Sequence, residues 1–205
     1  MKARRGFTLI ELAISVAIIG ILMALGAPSF MTWLRNVQIR NAAESLQNGL
    51  QLARTEALRR NEKVTFWPVA LTDSRLMDDS CARSDSGTSW VVSRDDPSSH
   101  CSVTESDTVS PRAIQKHAAG DGNRNVVVAA FDSGGAAASC VTFNGFGRVD
   151  TKCSDAAASN PIMRFTIASS QTDANTRNLE VRLSSGGVIL MCDPTVTSSS
   201  DPRHC

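Results

Sequence analysis

The chain has 205 residues, 20% of them charged, a formal net charge of +1, six cysteines and three histidines. That length fits one globular domain plus an accessory element, and the near-neutral balance excludes a general nucleic-acid binder, whose affinity rests on a clear excess of lysine and arginine. His100, His117 and His204 stand in no HExxH, nucleophile-elbow or Walker pattern, so no catalytic constellation is legible and the chain reads as a non-enzyme without a cofactor.

A basic head, Lys2, Arg4 and Arg5, precedes Gly6 and an apolar run that carries a single acid, Glu11. Residues 12–34 hold no ionisable side chain; as a helix they rise about 35 Å, enough to cross the hydrocarbon core of a bilayer. The basic head on the cytoplasmic side satisfies the positive-inside rule, as it would for a plain signal anchor, and Ala24, Gly26 and Ala27 imitate a signal-cleavage site. Neither reading accounts for Glu11. A carboxylate inside a membrane helix costs about 2.5–3.5 kcal/mol and is usually retained because something pairs with it; an assembly partner supplying a cation would do so. Pro28 removes one helical hydrogen bond and clashes with the carbonyl of Ala24, so a kink is expected there.

Gly6-Phe7-Thr8-Leu9-Ile10-Glu11 resembles the class III signal of type IV prepilins and type II secretion pseudopilins. The resemblance implies that a prepilin peptidase cuts between Gly6 and Phe7 and that the Phe7 amine is then N-methylated. It also implies that Glu11 meets the N-terminal amine of a neighbouring subunit during assembly. Pro28 matches a helix-bending proline common in that family.

The helix continues past the anchor. Ile39, Ala43, Leu46, Leu50, Ala53 and Ala57 alternate steps of four and three, one apolar stripe for packing on a sheet. Short β-branched and aromatic stretches follow at 63–69, 89–93, 125–131, 139–143, 163–168, 179–183 and 188–192, separated by polar segments at 73–88 and 94–123 that read as surface loops. The expected class is α+β, type IV pilin-like: one long N-terminal helix on a mainly antiparallel sheet. The expected division is a leader at 1–6, a transmembrane or filament-core helix at 7–34, its amphipathic continuation at 35–61 and a periplasmic β-rich domain at 62–205.

All six cysteines, Cys81, Cys101, Cys140, Cys153, Cys192 and Cys205, follow the anchor, as suits an oxidising compartment such as the bacterial periplasm. Sequence leaves their connectivity open. Sequential pairing is favoured on a local ground: Cys140 facing Cys153 puts Asn144 opposite Val149 and leaves a four-residue turn, 145–148. Cys192 with Cys205 would tie down the tail, and Cys81 with Cys101 would close a loop. His100-Cys101 and His204-Cys205 lack the spacing of a closed zinc site. Asp121-Gly122-Asn123-Arg124-Asn125, with Asp132 beyond, resembles the front of a calcium loop, but Val126 stands where that loop needs glycine.

The helix end Leu52-Ala53-Arg54-Thr55-Glu56-Ala57-Leu58-Arg59-Arg60-Asn61 is similar to that of the GspH/FimT family of minor pilins and pseudopilins. Ser89-Trp90-Val91-Val92 resembles the family's Gly-Trp strand, with serine for glycine, and Phe143-Asn144-Gly145-Phe146-Gly147-Arg148 its Gly-Arg hairpin. The resemblance implies a low-abundance subunit of a type IV pilus, embedded in the inner membrane by one span, whose partners are other minor and major pilins. Two alternatives stay open: a type II secretion minor pseudopilin among other pseudopilins, and a DNA receptor for uptake. The DNA-binding members carry Gly-Arg-x-Arg near the C-terminus, whereas this chain has Gly187 and Ile189 at the arginine positions. From Glu62 onward it holds 13 basic against 17 acidic side chains. Arg148, Arg164, Arg177 and Arg182, with Lys152, are the candidates for a local phosphate contact. Their simpler reading is pairing with Asp150, Asp155, Asp173 and Glu180.

Overall fold

The computed structural model describes residues 8–120, 125–171 and 175–205. Helix α1, Leu9–Arg60, has 52 residues. It opens on a capping box, in which the Glu11 amide donates to Thr8 Oγ1 at 3.3 Å and the Thr8 amide donates to the Glu11 carboxylate at 3.0 Å. It closes on Asn61, whose φ of 51° is left-handed. The Asn61 and Glu62 amides turn back to the Leu58 and Ala57 carbonyls, the Schellman arrangement that satisfies the last orphan acceptors. The stretches Leu9–Ala24 and Ser29–Arg60 meet at 42°, and Pro28, with no amide hydrogen to give, lies in the break. Among the described residues no single straight helix is long and apolar enough to cross a membrane; this bent pair together is, by length and composition.

Among the described residues nine strands follow: β1 (Val64–Ala70), β2 (Ala82–Arg83), β3 (Ser89–Ser93), β4 (Ala113–His117), β5 (Val126–Phe131), β6 (Val141–Phe143), β7 (Arg164–Ser169), β8 (Leu179–Leu183) and β9 (Ile189–Cys192). They form two sheets and not one. The first runs β2-β1-β3-β4 with β6 also on β1, the second β5-β7-β8-β9, and the paired strands are antiparallel throughout. Pro68 is tolerated in the middle of β1 because its carbonyl, and hence its nitrogen, faces away from β3 toward the end of β2, where the Ser84 amide donates to that carbonyl at 3.0 Å and no donor is asked of the proline.

The stripe Ile39, Ala43, Leu46, Leu50, Ala53 and Ala57 is buried against the inner faces of both sheets, with Val64, Phe66 and Val92 from the first and Val128, Phe165, Ile167 and Val181 from the second. Burial of each large apolar side chain contributes about 1.5–3 kcal/mol. Helix and first sheet approach closely at Gly49, where an added Cβ would lie 2.6 Å from the Phe66 ring. A second, smaller core lies on the other face of the first sheet: Trp67, Val69, Val91 and Ala113 pack with Cys81, Cys101, Cys140 and Cys153. The bridges join Cys81 to Cys101, Cys140 to Cys153 and Cys192 to Cys205. The first two are therefore core packing as well as loop closures.

Three expectations are corrected. The polar segments 73–88 and 94–123 contain β2 and β4. Strand β4 has no alternating apolar pattern; it is held by its ladder on β3, by the His117 ring stacked on Trp90 at 5.3 Å, and by Lys116 Nζ donating to the Cys101 and Val103 carbonyls. The hairpin after β6 sits one residue off the expected register. Phe143 faces Val149, and the Asn144 amide donates to the Arg148 carbonyl at 3.0 Å. Gly147, at φ 71°, takes the left-handed position of a three-residue bulged loop. Finally, the single sheet divides because both halves must cover one helix.

Candidate assembly surfaces

The expected leader junction, Gly6 and Phe7, lies outside the described residues. Just beyond it the described apolar side chains of the outer half of α1 are exposed, from Leu9 at 87% through Ile14, Ile18 and Leu22 to Trp33 at 58%. A helix apolar all round and covered by nothing of its own chain needs lipid or another protein around it. Glu11 is the only acid in that surface. Its Oε2 accepts from the Thr8 amide at 3.0 Å and the Thr8 hydroxyl at 2.9 Å. Oε1 has no partner among the described residues, which leaves one oxygen for a cation from outside. Thr8-Leu9-Ile10-Glu11 carries the signature of this cap, a threonine followed three residues later by a glutamate, so Glu11 caps the helix besides offering a charge.

At the far end of α1 three separate sequence blocks converge. Arg54 Nε donates to the Gly147 carbonyl at 3.1 Å. Gly145 lies against Asn61, where an added Cβ would come within 2.5 Å of Oδ1, and the Val149 amide donates to the Ser185 carbonyl at 3.1 Å. The Asn144 side chain accepts from the Phe146 amide at 3.0 Å. These contacts fix a turn that presents Phe146 at 82% exposure, with Leu58 and Val188 also exposed. Gly187 has a φ of 84°, and a Cβ there would meet the Gly147 carbonyl oxygen at 2.0 Å. An arginine has no room at that position. Ser89 is buried and its hydroxyl accepts from the Ala119 amide at 3.1 Å; the close glycine contact of this region is made by Gly87, whose Cβ would lie 2.3 Å from the Val69 carbonyl oxygen.

The basic candidates do not gather. Arg164 and Arg182 face each other across β7 and β8, with the Arg164 guanidinium 5.1 Å from the Phe131 ring and Arg182 paired to Glu180 at 2.8 Å and to the Cys205 carbonyl at 2.9 Å. Arg148 is exposed in the distal turn, and Arg177 sits at the opposite end beside α1, its amide donating to Asn36 Oδ1 at 2.8 Å. Arg182 pairs with Glu180 as expected, and the expected pairings of Asp150 and Asp155 are corrected. Asp150 takes Lys63 at 2.8 Å and Asp155 takes Arg83 at 2.6 Å, because β1 and β2 run beside those loops; Asp173 lies outside the described residues. Burial pushes the Asp155 carboxyl up, but the Ser159 hydroxyl and amide and then Arg83 more than reverse this, leaving it below its usual value.

Among the described residues, Glu180, Cys192 and Cys205 are close enough to hold a metal. Their two sulfurs are bonded to each other, so no thiolate is available. In the calcium-like segment, residues 121–124 are outside the described residues, Val126 begins β5, and Asp132 accepts from the Gly134 and Ala136 amides and the Asn160 side chain.

Residues 1–27 match the prokaryotic N-terminal methylation motif, and residues 42–187 match the family described as type II transport protein GspH. The chain belongs to the GspH family. Two fimbrial proteins of Pseudomonas aeruginosa are 35% identical to it over 88 residues, 39% of this chain and 56% of each relative. A fimbrial protein of Moraxella nonliquefaciens is 45% identical over 51 residues, 25% of this chain and 32% of the relative. The chain thus spans about half the length, or less, of the curated relatives it matches. A crystal structure of the type IV minor pilin FimU of Pseudomonas aeruginosa is similar at 17% identity and a TM-score of 0.43, covering 78% of this chain and 95% of that one.

Proposed function

We propose that this protein is a minor pilin of a type IV pilus, contributing to initiation or tip assembly, with no catalysis of its own. The observation that carries this reading is the outer half of α1: an apolar helix uncovered on all sides, with one carboxylate near its start, joined to a closed, disulfide-bonded domain. Such a helix is stable in a bilayer before assembly and in a bundle of like helices afterwards. Before assembly the chain sits in the inner membrane by this one helix, with its domain in the periplasm. Prepilin peptidase removes the leader after Gly6, Phe7 is methylated, and Glu11 Oε1 receives the amine of the next subunit.

Replacing Glu11 by alanine tests this. The leader should still be removed, as read by N-terminal sequencing, while the amount recovered in sheared filaments should fall. Normal incorporation of the variant sinks the pairing argument.

A type II secretion pseudopilin is the second reading, favoured by the family description itself. Deleting the gene separates the two: loss of surface pili points to the first, loss of exported enzymes to the second. A DNA receptor has less support, since Gly187 excludes an arginine and the basic residues are scattered. Gel-shift binding that survives about 150 mM salt and weakens on removing Arg177 or Arg182 would revive it.

A further inference from the structure

Where α1 leaves the domain, the lower end of the second sheet forms a cleft of 410 Å³. The start of β8 and the end of β9 supply an apolar floor, Leu179 and Met191, and three guanidinium groups stand around it: Arg40, Arg177 and Arg203. The one carboxylate in the lining, Asp193, is buried and caps a turn, its Oδ1 accepting from the Thr195 amide at 2.9 Å and hydroxyl at 2.6 Å. Arg40 pairs with Glu44 in an exposed pair that exchanges readily, whereas Arg203 holds both oxygens of Asp201, through Nε at 3.1 Å and Nη2 at 2.7 Å, and meets the cleft with that pair in place. The Arg177 guanidinium has no partner among the described residues.

The position of the cleft along α1 is the second observation. The uncovered apolar stretch ends at Leu34, with the rings of Phe30 and Trp33 5.8 Å apart; exposed aromatics of this kind sit at membrane–water boundaries. Arg40 is six residues further on, about 9 Å along the helix, next to a headgroup layer about 5–8 Å deep. The fold brings Arg177 and Arg203, distant in sequence from the span, to the level of Arg40, and guanidinium groups gathered beside a headgroup layer suit a phosphate.

We propose that the cleft binds the phosphate headgroup of an anionic phospholipid in the periplasmic leaflet, holding the domain upright on the membrane before assembly. The guanidinium groups take the phosphate, and Leu179 and Met191 cover the glycerol end of the chains. The inference rests on the membrane-anchored reading above.

The test uses the full chain in detergent, titrated with phosphatidylglycerol or phosphatidylethanolamine and followed by native mass spectrometry. Phosphatidylglycerol should bind in preference. Arg177→Gln and Arg203→Gln should each weaken it about fivefold, the double variant correspondingly more, and Arg177→Lys should retain most of the binding. Unchanged thermal melting of the variants makes the loss a local one. Equal binding of the two lipids, or full binding by the double variant, overturns the proposal. Displacement of the lipid by the same concentration of inorganic phosphate also overturns it, as that would mark a site for the free ion. Filament recovery keeps the two readings apart: selective lipid binding by a chain that never enters filaments overturns the pilus reading and leaves this one standing.

Discussion

The two sheets share one helix and differ in what lies on their other faces. Behind the first, Trp67 and Val91 are fully buried under loops carrying two cystines. Behind the second, Val127 and Leu190 are exposed beside Arg164 and Arg182, with the Cys192–Cys205 tail lying alongside. The first sheet is therefore closed and the second has a face still open. The difference teaches where sequence change should be tolerated: a strand buried on both faces accepts little, and one buried on a single face accepts polar residues at every second position.

The largest effect that would break this contrast is at Trp67. Trp67→Ala should cost about 3–5 kcal/mol in urea unfolding, whereas Val127→Ala should stay within about 0.5 kcal/mol. Similar values for the two would mean that the second core stabilises nothing.

The cystines give a closer comparison, because Cys140–Cys153 and Cys192–Cys205 have the same sequence separation of 13. Loop closure alone assigns each about 3 kcal/mol. Replacing Cys140 and Cys153 by serines should cost about 1–3 kcal/mol more than the same change at Cys192 and Cys205, since its hydroxyls are left in an apolar core. Equal losses would reduce both to loop closure.

The joint between the regions comes next. Gly187→Arg pushes the turn between β8 and β9 away from Gly147 and should destabilise by about 1–3 kcal/mol; a variant as stable as the parent would show that the turn is free to move.

The smallest effect is at His117, on the edge of the first sheet. Burial holds its imidazole below the ordinary value of 6.5, so the unfolded chain binds the proton first. Its contribution is fully present above about pH 6.5 and is lost as pH falls through the lowered folded value. His117→Gln should flatten that limb of the pH–stability curve; an unchanged curve assigns it to other groups.

Much of α1 was legible because its information is local. The period of the stripe, the apolar run and Pro28 all lie within one element, and the buried positions from Ile39 to Ala57 follow from that period. Strands rich in β-branched residues were legible for the same reason. Strand β4 was not, since Ala113–His117 is a strand by virtue of Trp90 and the Cys101 loop and not by its own residues. The hairpin register turned on whether Gly147 adopts a left-handed φ, which its neighbour Gly145 could equally have offered.

By itself, then, the sequence determined an apolar helix with one carboxylate, a stripe that demands a sheet, and cysteines suited to an oxidising compartment. Only the tertiary structure decided that the strands form two sheets, that two cystines belong to a second core, and that Arg54 reaches 93 residues along the chain to hold the turn that exposes Phe146. Periodicity is written in neighbouring residues. Pairing between distant segments depends on which surfaces are left to cover once the helix is buried, and no local pattern encodes that remainder.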